Sequence, residues 1–332
     1  SGQQQLDHFF VIINFNPDND LLKEDFPMVE QYTLQSSDER TELHLLYWPL
    51  EHPKALIQLI HGMAENIERY HAFALYLNSL GFAVVGHDHL GHGHSVQQQE
   101  PIYGYFGATG PQNVISDIYK VKTWAKEKHP TLPYFMMGHS MGSFALRNVL
   151  QDYPVDIQGA IFMGTGTSTL HLNFFLPLIK KISQKKPKVV APLIDKLAFG
   201  NYSKKFPETG NFNWLSKNQR NVSSYENDPL LGFTFTRNGF ATLFSLVHRA
   251  NQKNWMHNMP TGLPILIISG ADDPVGDWGK GPQKVYQKLQ KAGFNHLKLQ
   301  LFPELRHEIL FETEYEEVYH TIGDWLMQHL PQ

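Results

Sequence analysis

The sequence contains no cysteine. That absence excludes disulfides, thiolate metal sites and cysteine nucleophiles, so any covalent chemistry must use oxygen or nitrogen. Charge is sparse as well, with Asp, Glu, Lys and Arg making up 18% of the 332 residues, against about 25% in ordinary soluble proteins. Long apolar runs are missing. Near the start the longest is Phe9 to Ile13, flanked by Asp7 and Asn14. It is too short for a signal-peptide core or a membrane span, and the expected location is cytoplasmic. Internal repeats and low-complexity segments are absent too.

What the chain has is rings. Aromatic residues reach 13% and hydrophobic residues 42%, enough for a sizeable core and for an apolar site besides. The length exceeds that of an ordinary domain, and one large domain with an insertion is the natural expectation. Apolar runs from Ala55 to Ile60 and from Phe82 to Gly86 read as buried parallel strands. Between them Tyr70, Phe73, Ala74, Leu77 and Leu80 keep helical spacing, and Gly81 stands where a helix would stop. The rhythm continues with a helix around Val114 to Lys128, a strand Tyr134 to Met137, a helix from Met141 to Asp152 and a strand Ala160 to Met163. Such alternation predicts an α/β sheet, mostly parallel, with helices on both faces.

After Gly166 the rhythm breaks, and strand signals return only at Pro264 to Ser269 and Leu297 to Phe302. A last helix places Val318, Tyr319, Ile322, Trp325 and Leu326 on one face. The expected division is a core of 1–166 and 256–332 interrupted by an insertion, 167–255. That insertion holds ten Lys and three Arg against two Asp and two Glu, a net +9, leaving −13 on the rest. Its apolar residues Leu170, Leu172, Phe174, Phe175, Leu176, Leu178 and Ile179 precede Lys180, Lys181, Lys185, Lys186 and Lys188. This arrangement fits an anionic lipid surface, and it equally fits a helix packed on the core with solvated lysines.

The strand Tyr134 to Met137 runs into Gly138-His139-Ser140-Met141-Gly142, and a helical pattern begins at once. Strand, tight turn and helix are the context in which G-x-S-x-G exposes a serine hydroxyl. The following amide, Met141 N–H, is then aimed at a developing oxyanion. A serine hydroxyl needs a base to take its proton and an acid to orient that base. In folds built on this turn the partners follow in the order serine, acid, histidine. Asp273, after one late strand, and His307, between the last strand and the last helix, fit that order. Asp272 is the rival acid. Met63, in the Gly62 to Glu65 turn, is the candidate second oxyanion amide. Glu65 and Arg69, four apart, would pair and steady that turn. The segment His87 to Ser95, rich in histidine, invites a metal reading, but a Gly-rich turn after a strand explains it. Neither metal nor cofactor is expected.

Taken together, these motifs resemble the monoacylglycerol lipase and lysophospholipase group of α/β-hydrolases. The resemblance runs from about Glu39 to the C-terminus. It rests on HG-x-x-E at His61 to Glu65 with Arg69-Tyr70, on D-H-x-G-H-G-x-S at Asp88 to Ser95, on GHSMG at Gly138 to Gly142, on Asp273 and on His307. It implies an α/β-hydrolase fold, with Ser140, Asp273 and His307 as triad and Met63 and Met141 as oxyanion amides. By the same resemblance the insertion is a cap over an acyl-chain pocket, although it shows no matching motif. The expected activity is hydrolysis of a monoacylglycerol, lysophospholipid or similar acyl ester, with no nucleic-acid partner. A peptidase or amidase using the same triad is the alternative; a non-catalytic acyl-ligand receptor would have no need of three such residues in order.

Overall fold

The apolar character of the strands decides the architecture from the middle of the sheet outwards. The computed structural model describes residues 29–331 apart from 154, 155, 168 and 169, and the side chains of all these except 170–173. The run Phe9 to Ile13 and the side chains of Leu170 and Leu172 therefore lie outside the described residues. Strands β1 (Glu30–Gln35) and β2 (Glu42–Trp48) form a hairpin. The next elements are β3 (Ala55–Ile60), α1 (His71–Ser79), β4 (Phe82–His87), α2 (Gly110–Lys128), β5 (Tyr134–His139), α3 (Met141–Asp152) and β6 (Gly159–Met163). Helices α4 (Leu170–Lys185), α5 (Pro192–Phe199), α6 (Gln219–Asn227) and α7 (Arg237–Ala250) follow before β7 (Ile265–Gly270), α8 (Lys280–Lys291), β8 (Leu297–Phe302) and α9 (Tyr315–Gln328).

Among the described residues eight strands lie in the order β1-β2-β4-β3-β5-β6-β7-β8. From β4 to β8 every pairing is parallel, while β2 meets both β1 and β4 antiparallel. β3, β4, β5, β6 and β7 are buried throughout, as strands covered on both faces must be. Alternate residues divide between two cores. Ile57, Leu59, Phe135, Met137, Ile161 and Ile268 face α1 and α9, which contribute Phe73, Leu77, Ile322 and Trp325. Leu56, Tyr134, Met136, Phe162 and Ile267 face the other way, against Ile118 of α2, Leu146 of α3, Leu246 of α7 and Leu289 of α8.

Between β6 and β7 the chain does two different things. α7 buries Phe240, Leu243, Phe244 and Leu246 in the second core beside α2 and α3, so it is part of the sheet's covering layer. α4 and α5 leave Phe174, Phe175, Leu178, Leu193 and Leu197 exposed. Among the described residues no helix is long and apolar enough to cross a membrane.

Candidate active site

β5 ends at His139 and α3 begins at Met141, so Ser140 alone makes the turn, at φ 51° and ψ −119°. Residues with a Cβ avoid that backbone region, and it persists only where neighbours enforce it. Here Ser140 N donates to Met163 O at 2.9 Å, and Ser140 O accepts from Ser143 N at 2.9 Å and Ser143 Oγ at 2.7 Å. The turn also requires bare backbone on either side. A Cβ on Gly138 would fall 2.4 Å from Gly142 O, and one on Gly142 would fall 2.1 Å from Ile60 O. The serine thereby stands at the N-terminus of α3, where the first amides have no partner within the helix.

The loop after β7 delivers Asp273, fully buried. Its Oδ1 accepts from Val275 N at 2.8 Å, and its Oδ2 accepts from Ser269 Oγ at 3.2 Å and pairs with His307 Nδ1 at 2.9 Å. Asp272 is half-buried and ties its own backbone to Leu305 O; it is Asp273 that holds the imidazole. The His307 ring centroid lies 4.8 Å from that of His139, the residue before Ser140. Three stretches distant in sequence thus meet where β5, β7 and β8 end.

The loop after β3 lies beside them. A Cβ on Gly62 would stand 3.1 Å from Ser140 Cβ, so the turn carrying Met63 passes along the serine. Gly62 N donates to Glu65 Oε1 at 2.6 Å, Ala64 N donates to His92 Nε2 at 3.2 Å, and Ala64 takes φ 51°. Both neighbours of Met63 are therefore fixed. The Glu65–Arg69 pair, 2.9 Å, is not a surface pair: Glu65 is 2% and Arg69 11% exposed. Burial pushes the Glu65 carboxyl up, but its hydrogen bond to His139 and the Arg69 charge outweigh this and bring it down to about 2.

The histidine-rich segment after β4 supports the same loop. Asp88 accepts from Ile67 N at 2.8 Å and His94 N at 2.9 Å and meets His44 Nδ1 at 3.0 Å. His61 Nε2 accepts from His89 N at 3.0 Å, and the His92 ring that holds Ala64 has its other nitrogen at Leu90 O, 3.0 Å. Among the described residues no three His, Asp or Glu side chains are grouped as a metal would require.

Some contacts at the site carry no sequence signal. Trp214, from the stretch between α5 and α6, has its ring 5.2 Å from His307, and Phe199 and Tyr202 pack on it. Glu308 receives both Arg69 nitrogens, at 2.7 and 2.8 Å, across 239 positions of sequence. No local pattern reveals such a pairing, although Glu308 stands next to His307.

A family model described as serine aminopeptidase, S33, matches residues 51–314. A monoglyceride lipase homolog of monkeypox virus is 27% identical over 273 residues, 82% of this chain and 88% of the viral protein. The monoglyceride lipase of Rattus norvegicus is 27% identical over 278 residues, 80% of this chain and 83% of that enzyme. Among solved structures, a thermostable carboxyl esterase from Bacillus coagulans, crystallised with glycerol, is 26% identical with a TM-score of 0.86, covering 91% of this chain and 99% of its own. The chain belongs to the serine aminopeptidase S33 family and is a serine hydrolase of the α/β type, akin to monoglyceride lipases and esterases.

Proposed function

We propose that the chain hydrolyses the ester of a monoacyl glycerolipid, with Ser140 as nucleophile, His307 as base and Asp273 as its orienting acid. The observation that carries this is the buried 2.9 Å pairing of His307 Nδ1 with Asp273, next to a serine held at positive φ on the strand-to-helix turn. Asp273 fixes the tautomer with the proton on Nδ1, so Nε2 is free to accept the proton of Ser140 as Oγ attacks the ester carbonyl. Negative charge then develops on the carbonyl oxygen, and the amides of Met63 and Met141 are the donors for it. His307 returns the proton to the leaving glycerol oxygen, leaving an acyl-serine. Water, deprotonated by the same ring, attacks the acyl carbon, and Ser140 Oγ departs with the proton and frees the fatty acid. No step calls on a metal or cofactor.

The stretch from α4 to Gly232 serves as the cap in this reading, while α7 belongs to the sheet domain. Trp214, Tyr202 and Phe199 shield His307 from water, and the exposed face of α4 and α5, with its lysines, meets an anionic membrane surface. The relatives named above support a glycerolipid ester as substrate; a lysophospholipid is the neighbouring choice. Ser140→Ala is expected to abolish fatty-acid release from a monoacylglycerol and labelling by a fluorophosphonate, with the fold kept. An active alanine enzyme would refute the assignment.

The description of the matching family favours a second reading, an aminopeptidase. Such an enzyme must hold a free ammonium group, and an insertion carrying a net +9 opposes that. Comparing p-nitrophenyl acyl esters with aminoacyl anilides separates the two, the esters being the expected substrates.

A further inference from the structure

We infer that His139 is held as an imidazolium within a charge-balanced clasp, with Glu65, Arg69 and Glu308, that positions the loops carrying Gly62, Ser140 and His307. The inference rests on the proposed triad for its purpose, though not for its geometry. Both nitrogens of the His139 ring face acceptors: Nδ1 meets Glu65 Oε1 at 3.1 Å, and Nε2 meets the carbonyl oxygen of His307 at 3.3 Å. A carboxylate and a carbonyl have no proton to offer, so a neutral ring would set a lone pair against one of them. Only the doubly protonated ring donates to both.

The charges agree. Glu65 and Glu308 supply two negative groups, each 2% exposed, and Arg69 supplies one positive group to both, at 2.9 and 2.7 Å. Without a charge on His139, itself 3% exposed, one buried carboxylate would lack a counter-charge, a costly arrangement. The other groups facing the cluster are neutral: Tyr70 donates its hydroxyl to Glu65 Oε1 at 3.1 Å, the Tyr225 ring stands 5.2 Å from the Arg69 guanidinium, and Asn221 bridges Arg69 and Glu308. The remaining titratable neighbours are His307, ring to ring with His139 at 4.8 Å, and His89 and His92, which feel the Glu65 charge but are kept neutral by burial. Burial works against a charge on His139 but is outweighed by the hydrogen bond to Glu65, the charges of Glu65 and Glu308 and the His307 carbonyl, so its basicity lies above the ordinary imidazole value.

The clasp touches every loop of the site. Glu65 holds Gly62 N, His139 adjoins Ser140 in the chain and bonds the backbone of His307, and Glu308 follows His307 directly. Asn221 brings in α6, so the stretch proposed as the cap is tied to the same cluster. His139 touches no substrate atom in this scheme; it is a positioning residue, and a small displacement of such loops costs turnover rather than binding.

The test is a nitrogen-15 NMR spectrum of the full chain labelled at histidine, with the His139 ring assigned by the loss of its signals in His139→Gln. Both His139 ring nitrogens are expected to carry protons at neutral pH, where an ordinary imidazole has mostly lost its charge. A neutral tautomer at that pH would overturn the inference. Glu65→Gln removes the charge that holds the proton and should lower the pH at which the His139 ring titrates, with kcat lowered about 100-fold and KM little changed. A Glu65→Gln enzyme with normal kcat overturns the positioning role. If that variant fails to fold, the wild-type spectrum still decides the ring's charge. The same spectrum recorded on Ser140→Ala separates the two readings: turnover by that variant refutes the triad, whereas a neutral His139 ring refutes the clasp.

Discussion

Asp272 and Asp273 are chemically alike and adjacent, and what separates them is the set of donors each meets. Asp273 is fully buried, with Val275 N, Ser269 Oγ and His307 Nδ1 distributed over its two oxygens. In Asp273→Asn one of the amide's two positions can still meet His307, but the amide N–H₂ favours the opposite tautomer and leaves Nε2 without its lone pair. In the triad of chymotrypsin-like proteases the same change lowers kcat about 10⁴-fold, and a loss of that order is expected here. Asp272→Asn should leave kcat within a few-fold, because Asp272 contributes a backbone bond that the substitution keeps. Steady-state hydrolysis of a soluble acyl ester by both variants checks the pair; equal losses would remove Asp273 from its role. Gly142 is the second residue whose substitution has a forced outcome. A methyl there would meet Ile60 O at 2.1 Å and His61 O at 2.5 Å, backbone atoms at the end of a central strand that cannot yield. Gly142→Ala is expected to lower stability by about 1–3 kcal/mol and to move Ser140, read as a lower melting temperature and slower fluorophosphonate labelling.

At the scale of elements, α4 and α5 each expose large apolar side chains. Phe174 and Leu197 are each 77% exposed and Leu193 70%, within a stretch that also carries Lys180, Lys181, Lys185, Lys186, Lys188 and Lys196. Each such side chain entering an acyl layer contributes about 1.5–3 kcal/mol, and each nearby lysine about 1 kcal/mol at an anionic surface. Replacing Phe174, Leu193 and Leu197 together by Ser is expected to weaken binding to phosphatidylserine-containing vesicles at least about 100-fold, while hydrolysis of a short soluble ester is unchanged. Undiminished co-sedimentation of the triple variant would refute membrane contact through this face. The elements also show what a sequence pattern can carry. β3 and β5 are legible because strands buried on both faces are continuous apolar runs, and the serine turn because its geometry is written in five consecutive residues. β1 is not, since an edge strand such as EQYTLQ is half-exposed and polar, and β2, although buried in six of its seven residues, has its apolar run interrupted by His44. α8 escapes for a similar reason, with Val285 and Leu289 as its large buried residues. The amphipathic pattern of α7 reveals which face is buried but not against what, and its attachment to α2 and α3 follows only from the fold. Asp273 and His307 can be named from chain order, whereas Trp214 and Glu308 reach the site by contacts without local signature.

For the whole molecule, buried histidines set how stability responds to acid. His61, His87, His89 and His92 are essentially without exposure, packed around the loops after β3 and β4. Burial is the largest influence on each and lowers its basicity, to about 4 for His89 and about 3 for His92. A base whose affinity for protons is lower folded than unfolded stabilises the fold above the unfolded value of 6.5, and that contribution is lost as pH falls below it. For His89 alone, a fall from 6.5 to about 4 corresponds to roughly 3 kcal/mol. The carboxylate of Glu65, lowered from 4.5 to about 2, adds a second loss beginning near 4.5. His139 has the opposite sign: its raised basicity stabilises the fold below 6.5, and that contribution fades as pH rises through its folded value. Among the described residues His71 and His129 are lowered as well and His94 is raised, so six histidines oppose two and the net effect between neutral pH and about pH 4 is a progressive loss of stability. Denaturant unfolding at a series of pH values measures this directly. A midpoint that stays flat from pH 7 to about pH 5 would mean that these rings already carry protons in the folded protein. In His92→Gln the acid limb should be shallower, because one of the groups that take up a proton on unfolding is gone while the others still begin to do so near 6.5.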